Sequence, residues 1–137
     1  MIKPHYIIGI DPGTKTGLSV WDTSRKGFDK VASTTIISAM AFIRGFNITD
    51  TKIRIEDARK RTWFGHKSLE VLQGAGSIKR DCQIWEEFCL HYGFEYELVA
   101  PKNNKTKLDA KLFARMTGWK EKTNEHSRDS AMLVYGM

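Results

Sequence analysis

The run Tyr6-Ile7-Ile8-Gly9-Ile10-Asp11-Pro12-Gly13-Thr14-Lys15-Thr16-Gly17-Leu18-Ser19-Val20-Trp21-Asp22 decides the fold. An apolar stretch ends in an acid, a Pro/Gly turn follows and a second strand-like run returns, which reads as a β-hairpin with its first strand buried on both faces. Asp11 then sits at a strand end. A carboxylate beside that much aliphatic surface is costly unless a cation or several donors meet it, so the pattern points to a ligand. Asp-Pro-Gly is equally ordinary turn chemistry, Pro setting φ and Gly supplying positive φ. Taken alone, the stretch leaves both readings open.

Working outward, Thr23-Ser24-Arg25-Lys26-Gly27 reads as a turn and 28–37 as a third strand, completing an antiparallel meander. Ser38 is placed to cap a helix over 39–46, with Met40, Phe42 and Ile43 on its apolar side. Lys52-Ile53-Arg54-Ile55-Glu56 alternates as a half-buried strand does, and it too ends in an acid. A long helix is expected over 67–91, with Leu69, Leu72, Ile78, Cys82, Trp85 and Cys89 near helical spacing and Gly93 to stop it. Within it, Gly74-Ala75-Gly76-Ser77 is unusual, because each mid-helix glycine costs about 1 kcal/mol relative to alanine. Close packing there, by the chain's own sheet or by a second subunit, would account for it. A fifth strand over 94–99, a basic loop over 101–105, a helix over 106–116 ended by Gly118, and a capped helix over 124–135 complete the pattern. The order β-β-β-α-β-α-β-α-α predicts one α/β domain over residues 1–137, with a mixed sheet and helices on both faces.

Composition narrows the function. The chain has 137 residues, 41% hydrophobic and 28% charged, which suits one folded core rather than disorder. No apolar run reaches membrane-spanning length and the N-terminus lacks signal-peptide regions, so the cytoplasm is the expected compartment. Lys and Arg number 22 against 16 acids, giving a charge of +6 and a basic balance that attracts polyanions. Basic residues gather at 52–67 and again at 102–122. Cys82 and Cys89 lie one heptad apart, on one helical face, as small buried hydrophobes of a reducing compartment.

Three acids fall where they could converge: Asp11 and Glu56 at strand ends, and Asp129 on the last helix, where His126 shares its face. Singly, Glu56 reads as a surface salt-bridge partner, His126 as a cap and Asp129 as a solvent-facing acid. Together they would repel one another unless a cation neutralised them, and hard oxygen donors suit Mg²⁺ or Mn²⁺. A pair of such ions can serve phosphodiester cleavage.

Ile8-Gly9-Ile10-Asp11-Pro12-Gly13 with Gly17, Ile53-Arg54-Ile55-Glu56, and His126-Ser127-Arg128-Asp129-Ser130-Ala131 resemble, in order and spacing, the three acidic motifs of RuvC-type Holliday junction resolvases. The resemblance implies an RNase H-like fold, with a five-stranded mixed sheet of three antiparallel strands followed by parallel ones. It also implies a crossover junction endodeoxyribonuclease with two Mg²⁺ or Mn²⁺ ions per site, held by Asp11, Glu56, His126 and Asp129, which makes paired nicks in four-way DNA. His126 stands where many members carry another Asp, a softer set that predicts a preference for Mn²⁺. Glu125 is an alternative ligand, expected to point away from the Asp129 face. A basic residue near the last motif assists the transition state in the family; Lys102, Lys105 and Lys107 all lie in the corresponding region, and Lys107, at the start of its helix, is the one taken here. Arg59-Lys60-Arg61-Thr62-Trp63-Phe64 would supply phosphate contacts through Arg59, Lys60 and Arg61, and Trp63 or Phe64 would stack on an unpaired base. Lys102 and Lys105 are further DNA contacts. A homodimer is implied, with the helix carrying Gly74 and Gly76 as its interface, and the compact size suggests a phage or prophage version. Two other functions share these features: a nuclease of RNA or RNA/DNA hybrids, and a catalytically silent binder of branched DNA. The Asp-x-Gly-Thr turn of actin-like kinases is a further likeness, but that fold needs two such domains.

Overall fold

The computed structural model describes residues 3–60, 69–101 and 108–137. Its elements are β1 (Tyr6–Asp11), β2 (Thr16–Asp22), β3 (Gly27–Thr34), α1 (Ile36–Ile43), β4 (Thr51–Glu56), a 3₁₀ turn (Ala58–Lys60), α2 (Leu69–Tyr92), β5 (Glu95–Val99), α3 (Ala110–Thr117) and α4 (Glu125–Met132). The strands form one five-stranded sheet in the order β3-β2-β1-β4-β5. β1, β2 and β3 run antiparallel, whereas β4 and β5 run parallel to β1. The sheet is mixed, as the sequence predicts.

Strand alternation sorts the core into two layers. Ile8 and Ile10 of β1, Leu18 and Val20 of β2, and Ile53 and Ile55 of β4 face one way, against Ala39 and Ile43 of α1 and Trp85, Phe88 and Cys89 of α2. Ile7, Trp21, Phe28 and Val31 face the other, against Phe113 of α3, Ala131 of α4 and Val134 just past its end. Helices thus cover both faces. β1, flanked by β2 and β4, is buried from Ile7 to Ile10 on both sides.

Two helices start elsewhere than the sequence suggests. α1 begins at Ile36 because Thr35, not Ser38, is the cap: the Thr35 side chain accepts from the Ser38 backbone N–H at 3.1 Å. β3 accordingly ends at Thr34, short of the expected 37. α3 is capped by Asp109, whose carboxylate accepts from Leu112 N–H at 2.8 Å, and it stops at Gly118 in the left-handed conformation. α4 opens on a capping box in which Asn124 and Ser127 bond each other's backbone N–H.

The β2–β3 turn is held by Asp22, whose Oδ1 accepts from the Ser24 hydroxyl at 2.7 Å and from the Ser24 and Arg25 amides at 2.9 and 3.1 Å. These donors, the Ser24 hydroxyl foremost, lower the Asp22 carboxyl from 3.8 to about 2. A carboxyl whose pKa falls on folding stabilises the folded state fully above its unfolded value, and that contribution disappears as pH drops through the folded one. The melting temperature should therefore fall between pH 4 and pH 2, and Asp22→Asn should flatten this part of the curve. An equally steep fall in the variant would assign the acid sensitivity to other carboxylates.

Candidate active site

Asp11 closes β1 and Glu56 closes β4, its parallel neighbour. Ile10 pairs with Ile55, so the two acids follow at the same edge of the sheet. Both lie on the α4 side, because Ile10 and Ile55 are committed to the opposite layer. Strand periodicity and register alone bring them together.

The third segment arrives because at two positions, Gly9 of β1 and Gly17 of β2, the strands present no side chain to α4. A Cβ on Gly9 would lie 2.1 Å from the Ser130 carbonyl oxygen, and one on Gly17 would lie 2.0 Å from the His126 carbonyl oxygen. Backbone therefore meets backbone at both glycines. Between them Ser19 Oγ shares a 2.7 Å hydrogen bond with Ser130 Oγ and donates to the Ser127 carbonyl at 3.3 Å. All three serines are buried. The helix is thus set down on the sheet at a fixed height, with Ser127, Ser130 and Ala131 inward and His126 and Asp129 toward its flank.

His126 Nδ1 stands 3.5 Å from Asp11 Oδ2, and its Nε2 stands 3.8 Å from Glu125 Oε1. The imidazole is therefore bracketed by carboxylates on both nitrogens. Contrary to expectation Glu125 turns back toward the histidine; its carboxylate is otherwise open to solvent. Asp129 is partly buried on the same helix. Among the described residues no three His, Cys, Asp or Glu side chains stand grouped closely enough to hold an ion as they are. The donor set nevertheless suits a hard divalent ion in kind: carboxylates from two strand ends and a helix, with one imidazole already at the Asp11 carboxylate.

Arg59 differs from its sequence-based assignment. Its Nε and Nη2 donate to Asp57 Oδ1 and Oδ2 at 2.8 and 3.1 Å, and Nη2 also reaches Glu86 Oε1 at 3.2 Å. The guanidinium is engaged by two carboxylates and is not displayed for phosphate. The basic run concealed this, because Asp57 precedes Arg59 by two residues and Glu86 lies on a distant helix. Lys60 closes the 3₁₀ turn. Arg61, Trp63, Phe64, Lys102, Lys105 and Lys107 lie outside the described residues. Gly76 is exposed, and among the described residues a Cβ there would meet nothing within 4 Å, so the described sheet is not what packs at this glycine.

The sheet order and the two helical layers define an α/β fold of the RNase H-like type. Among solved structures the chain is similar to Thermus thermophilus RuvC, described as "T. thermophilus RuvC in complex with Holliday junction substrate", with a TM-score of 0.61. The match covers 93% of this chain and 89% of that one at 15% identity, so the likeness is one of fold. No family model matches the sequence, and no curated protein does. No helix among the described residues is long and apolar enough to cross a membrane.

Proposed function

We propose that this chain is one nuclease domain that cuts four-way DNA junctions by paired nicks, using divalent metal ions bound by Asp11, Glu56, His126 and Asp129. The observation that carries the reading is the meeting of Asp11 with His126, from opposite ends of the chain, at the sheet edge where Glu56 also ends. The likeness to a junction-bound RuvC and the charge of +6 point the same way. Bound ions would supply an activated water and charge neutralisation at the scissile phosphate. The chain's part is to orient that chemistry. β1 and β4 hold two carboxylates at neighbouring strand ends, and α4 brings the imidazole and the third carboxylate, so that Asp11, Glu56, His126 and Asp129 would together hold the ions. Lys107 is the proposed cation for the developing charge, and Lys60, Arg61, Lys102 and Lys105 are proposed contacts to the junction backbone, with Trp63 or Phe64 stacking on an unpaired base.

A second copy of the chain, packed on the open helical turn at Gly76, would give two sites for two opposed strands. Light scattering checks this: the apparent mass should be that of a dimer and should halve in Gly76→Trp.

The test is cleavage of an end-labelled immobile four-way junction beside a linear duplex and an RNA/DNA hybrid. Symmetric nicks in the junction are expected. Cutting of the hybrid alone would transfer the assignment to RNA processing, and binding without cutting would make the protein a silent junction binder.

Because His126 contributes nitrogen where an all-carboxylate site would be oxygen only, cleavage should be faster with Mn²⁺ than with Mg²⁺ at saturation of each. His126→Asp should narrow or reverse that ratio. Equal rates with the two ions in the unsubstituted protein would remove the imidazole from the ligand set.

A further inference from the structure

The chain leaving β4 is gripped unusually firmly just past Glu56. Asp57 is 3% exposed and accepts three hydrogen bonds on its carboxylate: from Arg59 Nε and Nη2, and from the Arg59 backbone N–H at 3.0 Å. Its own N–H donates to the Val99 carbonyl of β5 at 2.8 Å. Arg59 carries the contact on to Glu86 of α2, and the Tyr96 hydroxyl of β5 donates to the second oxygen of Glu86 at 2.9 Å. One turn earlier on α2, Cys82 Sγ lies 3.5 Å from the Glu56 carbonyl. Residues from α2 and β5 therefore meet on the one peptide unit that follows Glu56, and the 3₁₀ turn grips the side chain of the next residue, Asp57.

A buried carboxylate and a fork of guanidinium bonds are an expensive way to close a loop, since desolvating such a pair consumes most of its attraction. What they add is direction. The planar guanidinium fixes the angle between Asp57 and Glu86 in a way that a flexible ammonium cannot.

We propose that Arg59 is a positioning residue for Glu56. Through the Asp57–Arg59–Glu86–Tyr96 chain it holds the end of β4 against α2 and β5, so that the Glu56 carboxylate emerges at the metal-binding edge. The inference rests on the proposed ligand role of Glu56. It gives Arg59 a task different from gripping phosphate, and the two tasks respond oppositely to lysine: a phosphate contact needs charge, a positioning fork needs shape.

The experiment is Mn²⁺ binding by the DNA-free protein, read by electron paramagnetic resonance, in the unsubstituted chain and in Arg59→Ala, Arg59→Lys and Tyr96→Phe. Groups that orient metal ligands typically cost ten- to a hundredfold in metal affinity when lost. Arg59→Ala and Arg59→Lys should both weaken Mn²⁺ binding by about tenfold or more, and the salt dependence of junction binding in EDTA should stay the same. Tyr96→Phe leaves both ion pairs in place; it should weaken Mn²⁺ binding by a smaller but measurable factor, and it serves if the Arg59 variants fail to fold. Unchanged Mn²⁺ affinity in every folded variant would overturn the inference. So would rescue by lysine of a junction-binding defect whose salt slope falls by about one, the mark of a lost phosphate contact. If the unsubstituted protein binds no Mn²⁺, the metal reading and this inference fall together; if it binds Mn²⁺ but cuts nothing, only the nuclease reading fails.

Discussion

Asp11→Asn should abolish junction cleavage, lowering its rate by about a thousandfold or more, while the folded protein and its grip on the junction persist. The magnitude follows from the several kcal/mol that a metal contributes to charge stabilisation in phosphodiester cleavage, each 1.36 kcal/mol being a factor of ten. Asparagine fills the same space at the end of β1 but lacks the charge that draws in a cation and faces His126 Nδ1 at 3.5 Å. Single-turnover cleavage with saturating Mn²⁺, beside gel-shift binding in EDTA, separates the two effects. A variant that still cuts within tenfold of the unsubstituted rate would place the chemistry elsewhere.

Gly9→Ala should be severely damaging for a single added methyl. Its Cβ would sit 2.1 Å from the Ser130 carbonyl oxygen and 3.3 Å from Val134 Cγ1, and the first of these is backbone that cannot rotate away. Overpacking of a closed core typically costs 1–3 kcal/mol and occasionally more. Here a whole helix must lift, so about 3 kcal/mol or more is expected from urea titration. Gly17→Ala meets the His126 carbonyl at 2.0 Å and Asp11 Cβ at 3.0 Å, so it should damage the site as well as the packing. In Gly17→Ala, cleavage should fall further than lost stability accounts for, once assayed well below the melting temperature. If both variants melt within a degree of the parent and cut normally, α4 is not seated on the sheet as described.

Much of this arrangement was legible in the sequence, for identifiable reasons. β1 and β4 announce themselves by strand periodicity, and each terminates in an acid, so Asp11 and Glu56 could be named as strand-end carboxylates before any pairing was known. That they end side by side depends on β1 standing between β2 and β4, which is a property of the sheet and not of either strand. α4 was legible as a capped helix over 124–135, and Asn124 is its cap. The meaning of Gly9 and Gly17 was not, because a glycine in a strand looks the same whether it makes a turn or admits a helix. The ion pairs of Arg59 were hidden for a similar reason. Its partner Glu86 is remote in sequence, and a basic residue beside Arg61 and Lys60 reads as surface charge until the distant acid is in view. The shift in the start of α1 has a smaller cause: Thr35 and Ser38 are both good caps, and only the geometry decides between them.

The seating of α4 on bare strand backbone also governs when the site can exist. During synthesis Asp11 and Glu56 emerge on β1 and β4, well before His126 and Asp129, which belong to α4. Until α4 settles on Gly9 and Gly17, Asp11 has no His126 beside it; the two meet in the same step that closes the second core layer.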